Sequence, residues 1–153
     1  MPEIRPVSRD NWKELVGLQV GESQKDFVAP NVYSVAQSQF GIDYQGHWDL
    51  QPFGIFDGNE AVGFLMFGYN YEHPKYQAFI IRLMVDERFQ NKGFGRFGLQ
   101  KMLEIFRTES RVKAVGISYE PENEVARKLY ASCGFVETGE MLGPEIMAFL
   151  DLS

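Results

Sequence analysis

The chain holds 153 residues, with 15 Lys and Arg against 21 Asp and Glu, a formal net charge of −6, and 44% of it is apolar. That length suits one domain, and the apolar share is enough for a sizeable core. The acid excess argues against a nucleic-acid protein, which carries a basic face, and it suits a small cationic partner. One cysteine, Cys133, leaves no disulfide framework or cysteine-rich zinc site and fits a reducing compartment. The longest apolar-plus-glycine run, Ala61–Gly68, falls far short of the ~20 residues of a membrane span. The opening Met1-Pro-Glu-Ile-Arg-Pro lacks the apolar run of a secretory leader. A cytoplasmic single domain over residues 1–153 is expected, with no membrane, nucleic-acid or metal partner. No repeat or linker-like tract interrupts it.

Pro2 and Pro6 disfavour helix over Glu3–Val7 and predict an extended segment. Ser8 or Asp10 is placed to cap a helix over Asn11–Leu18, whose Trp12, Leu15, Val16 and Leu18 form an apolar stripe. Gly21 breaks it. A second helical stretch falls within Gln24–Phe40, interrupted at Ala29-Pro30-Asn31, with Asn31 as cap for Val32–Gln39. Phe53–Phe56 and Ala61–Tyr71 read as strands joined across Asp57-Gly58-Asn59, because Gly and Asn accept positive φ. Tyr76–Val85 follows the turn Glu72-His73-Pro74-Lys75, completing an antiparallel meander whose near-continuous apolar content suggests burial on both faces. Gly93–Arg107 is a helix with Leu99, Met102, Leu103 and Phe106 on one stripe. Lys113–Tyr119 is a strand, and Glu124–Ser132 is a helix ended by Gly134 as a left-handed cap. Phe135–Thr138 and Ile146–Leu150 are closing strands. This order predicts an α+β domain with a mixed sheet, neither a bundle nor a doubly wound fold.

The most informative stretch runs from Val85 to Gly98. A buried strand ends, seven polar or aromatic residues follow, and Gly93 and Gly95 open a helix. The first N–H groups of a helix lack internal partners, and the helix dipole adds positive charge there. Glycines let a phosphate approach the main chain, and Lys92 and Arg96 add full charges. A pyrophosphate is the natural guest. Gly93-x-Gly95-x-x-Gly98 also spells the dinucleotide fingerprint, with Glu120 about 20 residues on. Against that reading, residues 86–92 separate strand from glycine, a meander precedes the motif, and too little chain follows Gly98 for a doubly wound sheet.

Gln90-x-x-Gly93-x-Gly95 resembles the acetyl-CoA pyrophosphate loop of the GNAT N-acetyltransferase family. The resemblance extends to the element order and to a strand–Asn–helix–Tyr–Gly–Phe segment, matched by Ile117–Asn123 and Ala126–Phe135. It spans roughly residues 3–150. The segment from Gln24 to Asn31 and the approach from Asp86 to Gln90 look most like the bacterial spermine/spermidine (diamine) acetyltransferase branch.

The resemblance implies a GNAT fold: a twisted, mostly antiparallel sheet of six to seven strands, flanked by four helices, splayed between its fourth and fifth strands. It implies transfer of the acetyl group of acetyl-CoA to a primary amine by direct attack, with a polyamine favoured. Other acceptors (an aminoglycoside, an amino acid, a peptide N-terminus) and a non-catalytic acyl-CoA-binding module are the alternatives. By position, Leu83, Met84 and Val85 would bind the pantetheine arm through their backbone. Gln90, Asn91, Lys92, Gly93, Phe94, Gly95 and Arg96 would surround the pyrophosphate. Asn123 would touch the coenzyme arm, cap a helix, or both. Tyr130 aligns with the tyrosine that protonates the departing thiolate, and a core role is its alternative. Phe79-Ile80-Ile81-Arg82 offers no carboxylate where that branch can carry one. Glu120 is the first substitute as base, with Glu72 and Asp26 next, while His47 and His73 are weaker candidates. Phe27, Val28, Asn31 and Tyr33 would form a lid over the acceptor, and Asp26, Phe27, Asn31 and Glu72 are the candidate acceptor-binding residues. The resemblance leaves room for a homodimer through the closing strands without requiring one.

Overall fold

In the computed structural model, which describes residues 1–27 and 29–153, eight strands and four α-helices follow one another along the chain. They are β1 (Pro2–Pro6), α1 (Trp12–Val16), α2 (Asn31–Ser38), β2 (Ile42–Asp43), β3 (His47–Asp57), β4 (Glu60–Tyr69) and β5 (Ala78–Val85), then α3 (Phe94–Thr108), β6 (Ala114–Tyr119), α4 (Glu124–Ser132), β7 (Val136–Leu142) and β8 (Glu145–Asp151). Short 3₁₀ turns occupy Glu22–Gln24 and Glu87–Phe89. The strand order is β1-β3-β4-β5-β6-β8-β7, with β2 paired to β3. All ladders are antiparallel except β5–β6.

The expected meander is β3–β4–β5, and β4 is buried without a break from Ala61 to Gly68. Its first turn uses positive φ at Gly58 alone; Asn59 does not adopt it. The sequence expectation missed β2 and the first half of β3, where Trp48 and Leu50 alternate inward between exposed His47, Asp49 and Gln51. Pro52 argues against a strand there, but it sits at the tail of the β1 ladder, where its carbonyl still accepts from the Val7 N–H at 3.0 Å, so the missing N–H costs only the last rung. The helix caps also differ. Neither Ser8 nor Asp10 caps α1; Asn11 holds the position before it without a side-chain cap, accepting from the Ser8 N–H at 2.8 Å and donating to the Pro6 carbonyl at 3.1 Å. Asn31 is the first residue of α2 rather than its cap.

The two faces of the sheet bury different helices. Leu99, Met102, Leu103 and Phe106 of α3 and Tyr130 of α4 pack with Ile55, Leu65, Ile80, Ile117 and Tyr119. Leu15 and Leu18 pack on the other face with Phe64, Met66, Met84 and Met147. Gly98 allows α3 to lie this close: a Cβ there would stand 2.8 Å from Ile55 Cδ1 and 3.3 Å from Leu65 Cδ2. Gly98→Val is expected to lower stability by about 1–3 kcal/mol through overpacking, measured by urea unfolding with an unchanged m-value.

Candidate active site

The site begins as a fault in the sheet. β5 pairs with β6 over three rungs only, Ala78 with Val115, Phe79 with Gly116 and Ile80 with Ile117. The register of β5 against β4 then slips between Met66↔Arg82 and Phe67↔Ile80, leaving Ile81 as an extra residue. Such a bulge bends its strand and sends two successive side chains to one face. Ile81 and Arg82 both turn to the α1–α2 side. Beyond the bulge, β5 follows β4 and leaves β6, which stays with β8. β5 and β6 are the fourth and fifth of the expected strands, so the splay falls where the resemblance implies.

A cleft of about 800 Å³ occupies the splay, walled by Ile81–Leu83, Ile117–Tyr119, and Asn123, Ala126 and Tyr130 of α4. Tyr130 is buried, stacked on Tyr119 at 5.7 Å and edge-on to Phe135 at 5.7 Å. Among the described residues its hydroxyl has no hydrogen-bond partner. Burial pushes the Tyr130 phenol well above its ordinary value, with Tyr119 and Cys133 adding to it, so it is a neutral O–H at pH 7. Tyr119 is pushed up to about 12, by burial first and then by its hydrogen bond to Glu137. Asn123 does cap α4, accepting from the Ala126 N–H at 3.3 Å, and it also faces the cleft.

At the far end of β5, Asn91 and Gly93 take left-handed φ of 63° and 87°. The chain is thereby folded back so that, among the described residues, the N–H groups of residues 91–96 meet no intramolecular acceptor. Lys92 and Arg96 are exposed with no carboxylate in salt-bridge range among the described residues. Gln90 differs from expectation: its amide donates to Val85 O at 3.0 Å and Gln24 Oε1 at 2.7 Å, so it braces the loop. Asp86 does similar work. Burial alone would raise its carboxyl, but Arg88 and the Gln19 and Arg88 amides outweigh that and hold it below the usual carboxylate range. Unlike Gly98, Gly95 is not required by packing, since a Cβ would meet only Val85 and Leu129 at ordinary contact distances of 3.7 and 3.9 Å. Free amides, two cations and bare glycines are the features that binding of a diphosphate calls for. No strand pairs with Leu83–Val85 on the β6 side beside them, where the Val85 carbonyl is taken by Gln90.

Several acceptor-side expectations are not met. Glu120 follows β6 but is absent from the cleft wall, as are Glu72 and Asp26, both exposed. Asn31 is buried outside the cleft, where its amide ties α2 to α1 through Leu15 O at 2.8 Å. Tyr33 is exposed and off the wall, Phe27 is on it, and Val28 lies outside the described residues. His47 is exposed and bonded to Asp43 at 2.6 Å, which raises its imidazole. His73 is buried, and its Nδ1 accepts from the N–H groups of Lys75 and Tyr76 at 3.2 and 3.0 Å. That fixes Nε2 as the donor to Gln45 at 3.0 Å. Burial and then Lys75 lower its pKa, so it is neutral and has no free lone pair to take a proton.

The other wall is aromatic, and apart from His73 the sequence did not single its residues out as site residues. Trp48, His73, Tyr76 and Phe79 form a surface with centroid spacings of 5.4 to 6.4 Å. Asp43, Glu140 and Glu145 bring carboxylates to it. Arg82 stands among them with its Nε buried and unpartnered among the described residues; burial lowers its guanidinium pKa, opposed by Tyr33 and Glu145. No group of three or more metal-ligating side chains is gathered among the described residues, and no helix is long and apolar enough to cross a membrane.

The acetyltransferase (GNAT) family signature matches residues 15–135. The chain belongs to that family. It is an acetyl-CoA-dependent N-acetyltransferase, and the mixed splayed sheet is the GNAT fold, with eight strands where six to seven were expected. The spermine/spermidine N(1)-acetyltransferase of Bacillus subtilis strain 168 is 25% identical over 142 residues, 90% of each chain. The structure of spermidine N-acetyltransferase from Vibrio cholerae in complex with CoA and spermine matches with a TM-score of 0.75 at 17% identity, covering 99% of this chain and 95% of that one. The ribosomal-protein-S18-alanine N-acetyltransferase of Escherichia coli matches with a TM-score of 0.71 at 14% identity, covering 100% and 95%.

Because Gly95 has room for a methyl group in the protein alone, Gly95→Ala is expected to leave the melting temperature unchanged. Acetyl-CoA affinity is expected to fall by roughly tenfold, about 1.4 kcal/mol, as calorimetric titration would read.

Proposed function

We propose that this enzyme acetylates a primary amine of a polyamine or similar diamine. The observation that carries the reading is the opening through the sheet, with free amides and Tyr130 toward the α3–α4 face and an aromatic, carboxylate-bearing wall toward the other. An extended alkyl chain lies well on aromatic surface, and its ammonium groups gain from ring faces and acidic partners. The relative of Bacillus subtilis, named for spermine and spermidine, supports the same choice.

In this reading the diphosphate of acetyl-CoA sits on residues 90–96, with Gln90 holding the loop. The pantetheine arm lies along the free edge of Leu83–Val85 past Asn123. A main-chain N–H near Val85 polarises the thioester carbonyl. The amine attacks the acyl carbon from the aromatic side. Tyr130, a phenol kept protonated by burial, gives its proton to the departing sulfur.

One observation favours a second acceptor. The buried, unpartnered Arg82 Nε suits a carbonyl or carboxylate beside the amine, as in a peptide N-terminus or an amino acid. A panel of spermidine, spermine, diamines, amino acids, a short peptide and an aminoglycoside, assayed by CoA release, decides between them. Turnover of polyamines is expected; inactivity on all of them with turnover elsewhere rejects the choice. Tyr130→Phe is expected to lose 10²-fold or more in kcat, at the lower end of the ~10²–10⁴ range for general acids, and to keep its acetyl-CoA affinity. A non-catalytic coenzyme-binding module would show no turnover to lose.

A further inference from the structure

Acetyl transfer to an alkylamine must dispose of protons on two sides of one carbon. Such an amine has a pKa near that of lysine, about 10.4, and arrives as R–NH₃⁺. As the N–C bond forms, the C–S bond breaks with its electron pair going to sulfur. The products are R–NH–CO–CH₃, the free thiol and one released proton. Sulfur takes its proton from the coenzyme side, and the nitrogen must lose its protons on the acceptor side.

Three carboxylates reach the acceptor wall. Asp43 is bound to His47 at 2.6 Å, and Glu140 to Lys75 at 3.2 Å; both are exposed. Glu145 is half-buried, and its partner is a neutral hydroxyl: Ser118 Oγ donates to Oε1 at 2.7 Å. Ser118 directly follows Ile117, the last rung shared by β5 and β6, so this bond marks the point where the strands part. Strand alternation then fixes the sides. Ser118 pairs with Met147, two residues from Glu145, and these three share the α1–α2 face. Tyr119 turns to the opposite face, where Tyr130 stacks on it. A carboxylate and a phenol therefore meet one opening from opposite sides of the sheet, as an incoming nitrogen and a departing sulfur require.

Other groups around Glu145 leave it available. Arg82 faces it from β5, but that guanidinium donates to Ile81 O at 2.8 Å and Gln37 Oε1 at 3.5 Å and forms no salt bridge with Glu145. Tyr33 approaches Arg82 from α2. The Lys75–Glu140 and His47–Asp43 pairs hold the rim.

We infer that Glu145, positioned by Ser118, takes the proton that the ammonium loses before attack, directly or through one water, and passes it to solvent. The second nitrogen proton, lost as the C–S bond breaks, leaves the same way, and solvent reprotonates the Tyr130 phenolate, so that one proton is released net. The inference rests on the acetyl-transfer reading and is independent of which amine is the acceptor.

The test uses whichever panel amine the wild-type enzyme turns over best. Glu145→Gln keeps an acceptor for Ser118 and is expected to lose about 10²-fold in kcat at pH 7, with acetyl-CoA affinity and melting temperature unchanged. The deficit should shrink as pH rises toward the amine's own pKa, and with a weakly basic amine already neutral at pH 7. Glu145→Asp should recover part of the rate. Ser118→Ala, which releases the carboxylate without removing it, should show a smaller loss with the same dependence on amine basicity, so the glutamine variant need not fold for the test to succeed. A deficit confined to KM makes Glu145 only a cation anchor and overturns the inference. So does a kcat deficit that is the same for protonated and neutral amines. A wild-type enzyme inactive on every amine overturns the acetyl-transfer reading itself and is distinguished before any variant is made.

Discussion

The structure depends on two neighbouring strands ceasing to hydrogen-bond. A parallel pair inside a sheet ordinarily satisfies its backbone along its whole length, because unpaired buried amides are costly. Here pairing stops after three rungs, and the extra residue at Ile81 turns β5 away from β6. The unpaired edge is an incomplete ladder, and a ligand with amide groups of its own can complete it. The opening also joins two faces that a continuous sheet would keep apart.

The parts of the site divide between those faces. On one lie Tyr130, Asn123 and the start of α3, held by the large core beneath α3 and α4. On the other lie the aromatic wall, Arg82 and Glu145, carried by β3, β5, β8 and the turn at His73. Rigid packing supports both halves: Tyr130 is wedged between Tyr119 and Phe135, and His73 is locked by two backbone donors and Gln45. Polar groups with no packing duty, such as the amides of residues 91–96, are the ones left for ligands.

What the sequence revealed follows from this division. The glycine loop, the Asn123 cap and Tyr130 belong to local motifs of fixed spacing, so they are legible, and so is the three-stranded meander. The acceptor wall is assembled by register. Glu145 meets Ser118 only because β8 returns beside β6, and no local pattern announces that pairing. Glu120, Glu72 and Asp26 were plausible by proximity along the chain, yet alternation and turns carry them off the wall. Trp48 and Leu50 did alternate visibly, but Pro52 obscured their strand. Asn31 looked like an acceptor ligand or a cap and is instead a buried tie between helices. The bulge at Ile81 carries no glycine, so nothing in Phe79–Leu83 signals it.

The central claim is that the unpaired edge of β5 and the free amides after it receive the coenzyme. Amide hydrogen exchange with and without acetyl-CoA tests it most directly. The account predicts that binding slows exchange at residues 91–96 and along Leu83–Val85, with little change in β1 and β3. Tight binding with no added protection at either segment would contradict it.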